Sequence, residues 1–173
     1  MTALSQTLQF GGRGSNIQGM RCVHRLQAGR LRSLLKSFPA VLVIGPRQCG
    51  KSTLARHAAA DWTHLDLERP ADAGLLAADL EGYFEAHPRS VVLDEAQRLP
   101  ELFPLLRHVI DRSKTKGRFV LLGSASPNLM RAVSETLAGR VAILELTPFL
   151  TSELAGGRRA SDRWFWGGFP SVL

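Results

Sequence analysis

At 173 residues, with 45% apolar and 21% charged side chains, the chain has the size of one globular domain and the means to bury its own core. No apolar run approaches the about 20 residues of a membrane-spanning helix, and two cysteines without a secretory leader pattern exclude a disulfide-stapled scaffold, so a soluble, cytoplasmic protein without a membrane partner is expected. The net charge of +7 is uneven: residues 1–60 hold nine Arg or Lys and no acid, while residues 61–173 hold thirteen against fifteen, which gives the first third a pull on phosphate or nucleic acid.

Residues 1–20 lack hydrophobic periodicity and read as a flexible tail. Val23 to Phe38 then carries apolar residues at three- and four-residue steps with Arg25, Arg30, Arg32 and Lys36 between them, an amphipathic helix expected to soften at Gly29 and to end at Pro39. Ala40 to Ile44 is an apolar strand, Lys51 to Ala60 a helix, and Thr63 to Leu67 a second strand. Pro70 to His87 is helical in composition, with interruptions expected at Gly74 and Gly82, and Ser90 to Leu93 makes a third strand. Pro100 to Arg112 follows as a helix, Arg118 to Leu122 as a fourth strand, Pro127 to Leu137 as a helix and Val141 to Leu146 as a fifth strand. Strands that alternate with helices and are apolar on both faces predict an α/β domain of three layers around a mainly parallel sheet.

The first strand runs directly into Gly45-Pro46-Arg47-Gln48-Cys49-Gly50-Lys51-Ser52, which satisfies every fixed position of the G-x-x-x-x-G-K-[ST] phosphate loop. In such a loop glycines let the backbone curl until successive N–H groups converge on phosphate oxygens, and the helix that follows adds its positive end. Lys51 would then reach the β- and γ-phosphates, Ser52 would place its hydroxyl on Mg²⁺, and Thr53 would support the α-phosphate side. Val91-Val92-Leu93-Asp94-Glu95 supplies the second half: a strand ending in Asp94 offers a carboxylate to Mg²⁺, and Glu95 is the natural base for a water attacking in line. The absence of an Asn-Lys-x-Asp guanine-reading run favours ATP.

Three further features carry open readings. Ser124, at the end of the strand Arg118-Phe119-Val120-Leu121-Leu122-Gly123, is either a polar group between loop and Asp94 or the cap of the next helix. Arg140 is either an arginine finger, in its own subunit or a neighbour's, or one half of a surface ion pair. Cys49, ahead of a helix N-terminus and near Lys51, is either a reactive thiol or a small residue that fits the loop.

In order and spacing, GPRQCGKST, VVLDEAQRLPEL, RFVLLGSAS, LAGRV, LTPFLTSEL and WGGFP resemble the prokaryotic AAA-superfamily ATPases that join an amino-terminal ATPase domain to a carboxy-terminal domain of unknown function. The resemblance covers roughly Leu31 to Pro170 and implies an AAA-type core with sheet order 5-1-4-3-2. It implies that Lys51 and Ser52 bind phosphate and Mg²⁺, that Asp94 and Glu95 form the Walker B pair, that Ser124 is the sensor, and that Arg47, Gln48 and Arg140 are family-typical. Leu122 stands where the family usually has Thr. On this reading residues 21–155 are the ATPase core, and 156–173 begin a lid or interdomain joint whose continuation is missing. The Trp164-Phe165-Trp166-Gly167-Gly168-Phe169-Pro170 cluster then reads as the stump of that joint or as a docking end for a protein partner.

The expected activity is Mg²⁺-dependent ATP binding and hydrolysis, with a homo-oligomer wherever Arg140 acts in trans. The rival is a nucleotide-binding interaction module without appreciable turnover. A weaker reading gives Arg21, Arg25, Arg30 and Arg32 a nucleic-acid backbone, though no aromatic side chains interleave them.

Overall fold

A computed structural model describes residues 25–153 and 168–169. The expected tail over 1–20, Cys22, Arg21 and the tryptophans Trp164 and Trp166 lie outside the described residues. Helices and strands alternate as expected: α1 (Gln27–Ser37), β1 (Ala40–Ile44), α2 (Lys51–Ala58), β2 (Thr63–Asp66), α3 (Pro70–Ala78), α4 (Leu80–Ala86), β3 (Val91–Asp94), a 3₁₀ turn (Ala96–Arg98), α5 (Leu102–Ser113), β4 (Phe119–Gly123), α6 (Pro127–Thr136) and β5 (Val141–Glu145).

The five strands form one sheet in the order β2-β3-β4-β1-β5, the expected 5-1-4-3-2 read from the other edge, and every neighbouring pair is parallel. Side chains alternate between the two faces of a strand. Leu42, Leu93, Phe119 and Leu121 therefore meet Leu76 of α3, Phe84 of α4, Phe103 and Leu106 of α5, and Leu129 and Val133 of α6 on one face. Val41, Val43, Val92, Val120 and Leu122 meet Ala28, Leu31 and Leu35 of α1 and Leu54 and Ala55 of α2 on the other. The inner strands are apolar up to the Asp94 that ends β3, because both faces are covered. At the edge β5 loses that cover, and Ile143 is 46% exposed.

Two local expectations are corrected. Helix α1 runs unbroken through Gly29, and nothing approaches within 4 Å of the place its Cβ would take. The break in 70–87 falls at Asp79 rather than at a glycine, because the Asp79 carboxylate caps α4 by accepting from the Gly82 N–H at 2.9 Å. Gly82 serves that cap, since a Cβ there would collide with the Asp79 carboxylate.

Cys49, for which two readings stood open, is fully buried and packs with the α1–α2 core. Burial pushes its thiol above the ordinary value, outweighing the opposite pull of Lys51 and Arg25, which supports the small residue that fits the loop over the reactive thiol. An iodoacetamide time course at pH 8 should accordingly show Cys49 inert in the folded chain and reactive once the chain is unfolded in urea. Fast alkylation of the folded chain would contradict the burial. Leu121, at the centre of the sheet and fully buried, sets a second measurement: Leu121→Ala should lower the free energy of unfolding by about 2–5 kcal/mol in a urea titration.

Candidate functional site

A parallel sheet places the carboxyl ends of its strands at one edge, and the candidate residues converge there. Strand β1 ends at Ile44, the loop turns over residues 45–50, and α2 begins at Lys51. Gly45 is required by close approach, because a Cβ there would stand 2.2 Å from the Leu146 carbonyl oxygen. The chain leaving β5 is held in that position by the Leu146 N–H, which donates to the Ile44 carbonyl at 2.7 Å. The curl itself uses the left-handed region twice, at Gln48 with φ 61° and at Gly50 with φ 95°.

Lys51 is buried, and its ammonium donates to the carbonyls of Gly45 at 3.1 Å and Pro46 at 3.0 Å, which sets it inside the curl. An ammonium has three donors, so one stays available to an oxygen arriving in the loop. Helix α2 carries no acid in its first turn and no side-chain cap, so its positive end stands open to an anion. Ser52 is half-buried in that turn and Thr53 is exposed. Pro46, Arg47 and Gln48 form the exposed crown of the loop, with Arg47 3.6 Å from Glu68, a carboxylate that Arg98 also holds at 2.9 Å.

Asp94 ends β3, two strands from the loop, in register with Asp66. Its Oδ1 accepts the Glu95 N–H at 3.0 Å, a turn that sends Glu95 into the left-handed region at φ 53°. The Glu95 carboxylate accepts a 2.5 Å hydrogen bond from Nε2 of Gln97. The other amide atom of Gln97, Oε1, is buried without a partner and lies across the end of β4, where a Cβ on Gly123 would meet it at 2.7 Å. Ser124 follows at the end of β4, the strand between the loop strand and the Asp94 strand. It does not cap the next helix: Ser126 does, accepting from the Leu129 N–H at 3.3 Å. Leu122 faces the α1–α2 core and has no part in the edge.

No cluster of three His, Cys, Asp or Glu fit to hold a metal exists among the described residues. The donor set suits Mg²⁺ nonetheless, because that ion keeps several waters and takes few protein ligands when phosphates supply the rest. One hydroxyl, Ser52, and one carboxylate, Asp94, are the chemistry such an ion needs.

Arg140 lies elsewhere. Its carbonyl accepts the Ala40 N–H at 3.3 Å, at the amino end of β1, so the five residues of that strand, about 16 Å, separate it from its own loop. Its guanidinium forks onto Asp111 at 2.6 and 2.9 Å, and the pairing holds the Asp111 carboxyl below its ordinary range. The surface ion pair is the reading the geometry supports, and a finger acting within its own subunit is overturned.

Sequence reasoning missed two groups. Gln97 sits in the Asp-Glu-x-Gln run, and its amide two positions after Glu95 was the available signal. Arg25, grouped with exposed arginines, is buried: Nη1 donates to the Cys49 carbonyl at 2.9 Å and Nη2 to the Thr147 carbonyl at 2.5 Å. Arg30 and Arg32 remain exposed. No local signal marks Arg25, which lies two residues before α1 begins and is buried by contacts to residues 49, 147, 149 and 153 far along the chain.

A profile of the AAA domain matches residues 37–155, more than half of the chain. Two uncharacterized proteins, of Mycobacterium bovis and Mycobacterium tuberculosis, are 42% identical over 160 residues, which cover 90% of this chain and 35% of each relative. The chain thus spans about a third of the length of these relatives. Among solved structures, a Walker-type ATPase of Pyrococcus abyssi superposes with a TM-score of 0.55 at 20% identity, over 76% of this chain and 55% of that one, a likeness of fold. With its loop, its sheet order and this match over residues 37–155 together, the chain belongs to the AAA domain family and forms an AAA-type P-loop ATPase core.

Proposed function

We propose that the protein binds ATP with Mg²⁺ and hydrolyses it. The observation that carries the reading is the meeting, at one sheet edge, of a Lys51-filled phosphate loop and an Asp94-Glu95 pair two strands away. Lys51 and the loop amides bind the β- and γ-phosphates, and α2 adds its dipole. Ser52 and Asp94 are the residues that would hold Mg²⁺, which when bound neutralises charge on the phosphate oxygens. Glu95 takes a proton from a water whose oxygen forms a bond to the γ-phosphorus as the bond to the ADP oxygen breaks. Gln97 holds the Glu95 carboxylate while that happens. Ser124, between the two halves, is the polar group available to the γ-phosphate.

Arg140 enters this scheme only from a neighbouring subunit, released from Asp111, and the proposal therefore includes a homo-oligomer. The cytoplasm is the proposed compartment, consistent with the absence, among the described residues, of a helix long and apolar enough to cross a membrane.

Nucleotide binding and phosphate release, measured together at several protein concentrations, test the scheme. Lys51→Ala should abolish binding. Glu95→Gln should keep binding and lower turnover about a hundredfold or more. Gln97→Ala, which frees the carboxylate, should lower turnover about tenfold with binding retained. Specific activity that rises with protein concentration supports Arg140 in trans, and Arg140→Ala should remove that rise. Binding without turnover in the native chain would replace hydrolysis by a nucleotide-binding interaction module, and a folded native chain that binds no nucleotide would end the reading.

A further inference from the structure

Arg25 has more to do than fill the core. Besides its bonds to the Cys49 and Thr147 carbonyls, Nε lies 3.2 Å from the Glu153 carboxylate, and the guanidinium carbon sits 4.4 Å from the centre of the Phe149 ring. Glu153 completes the knot: one oxygen accepts the Leu26 N–H at 2.8 Å and the other the Leu150 N–H at 2.9 Å. Both charged side chains are over nine-tenths buried, at 7% and 1% exposure. A buried ion pair is a weak source of stability, because desolvation offsets its attraction. What this one supplies is orientation.

The peptide bond is planar and trans, so a Cys49 carbonyl aimed at Arg25 sends the Gly50 N–H the opposite way. Gly50 is the residue before Lys51, where loop N–H groups face phosphate. A charge-assisted bond on the carbonyl polarises the same peptide and strengthens its N–H as a donor. The same guanidinium grips residues 147–153 through Thr147, Phe149 and Glu153, the stretch by which the chain leaves the sheet. The contact of Leu146 against Gly45 makes a second link between the two.

We propose that Arg25 is a positioning residue of the phosphate loop and that its pair with Glu153 couples nucleotide in the loop to the conformation of residues 146–153. The inference rests on the nucleotide-binding reading above. Linkage makes the coupling reciprocal: nucleotide tightens the exit stretch, and a tightened exit stretch raises nucleotide affinity.

Hydrogen exchange of the Leu26 and Leu150 amides, both held by Glu153, reads the coupling directly. The experiment compares the native chain with and without saturating Mg²⁺-ADP, which fills the loop without turnover, and repeats this for Arg25→Lys and Glu153→Gln. In the native chain both amides should slow about fivefold or more on adding nucleotide. In the two variants ADP should bind about tenfold more weakly and leave those amides unchanged. Variants that lose thermal stability yet keep the native slowing would reduce Arg25 and Glu153 to packing and overturn the inference. So would a native chain that binds ADP with no change at either amide, whatever the variants do. A native chain that binds no ADP overturns the nucleotide reading itself, a result distinct from the other two.

Discussion

Parallel pairing at β3, β4 and β1 is the constraint from which the site follows. Three strands in register, with Val91 beside Phe119 and Val120 beside Val41, finish at one edge, and each delivers a different chemical group there. β1 delivers the loop, β3 the carboxylates and β4 the small polar residues between them. Lys51 and Asp94 form no ion pair with each other, so their relative placement depends on the ladder hydrogen bonds and on the two apolar layers that pack the sheet against its helices. The core and the site are in this sense one structure. The helices of one layer also set the loop's height, because α2 packs by Leu54 and Ala55 against the same face that carries Val43 and Leu122.

The β5 side adds a second, tighter constraint. Its exit runs against the first glycine of the loop, and Arg25 bridges from the start of α1 to both. Three segments far apart in the chain, near residues 25, 45–50 and 146–153, are thereby joined by backbone carbonyls rather than by side-chain packing alone. Carbonyl contacts of this kind depend little on residue type along the exit stretch and strongly on the two charged residues that organise it.

Most of the architecture was legible in the residues. The five apolar runs, the phosphate-loop signature and the Asp-Glu strand end each follow a local rule, and the strand boundaries fall within a residue or two of those expected. What local pattern leaves undecided is settled by contacts between distant parts of the chain. Local propensity marks Gly29 and Gly74 as breakers, but tertiary packing of α1 and α3 overrides a cost of about 1 kcal/mol per glycine. Arg25 and Leu26 exchange roles because charge and apolarity suggest outside and inside, whereas the carbonyls of Cys49 and Thr147 and the Glu153 carboxylate hold Arg25 in the core and Leu26 is left 57% exposed. Arg140 and Asp111 are 29 residues apart, and no short-range pattern announces such a pair. At Cys49 burial outweighs the charge of Lys51 and Arg25 and decides between the two readings the sequence leaves open.

Gly123 shows how finely the edge is drawn. The space a methyl group would take there is already shared by the Leu129 side chain and the amide oxygen of Gln97, at 2.5 and 2.7 Å. A substitution to alanine there would have to shift both the end of the Leu129 side chain, which anchors α6, and the amide that grips Glu95. The alignment of the Glu95 carboxylate thus depends partly on a missing carbon atom on a neighbouring strand, although Gly123 carries no functional group of its own.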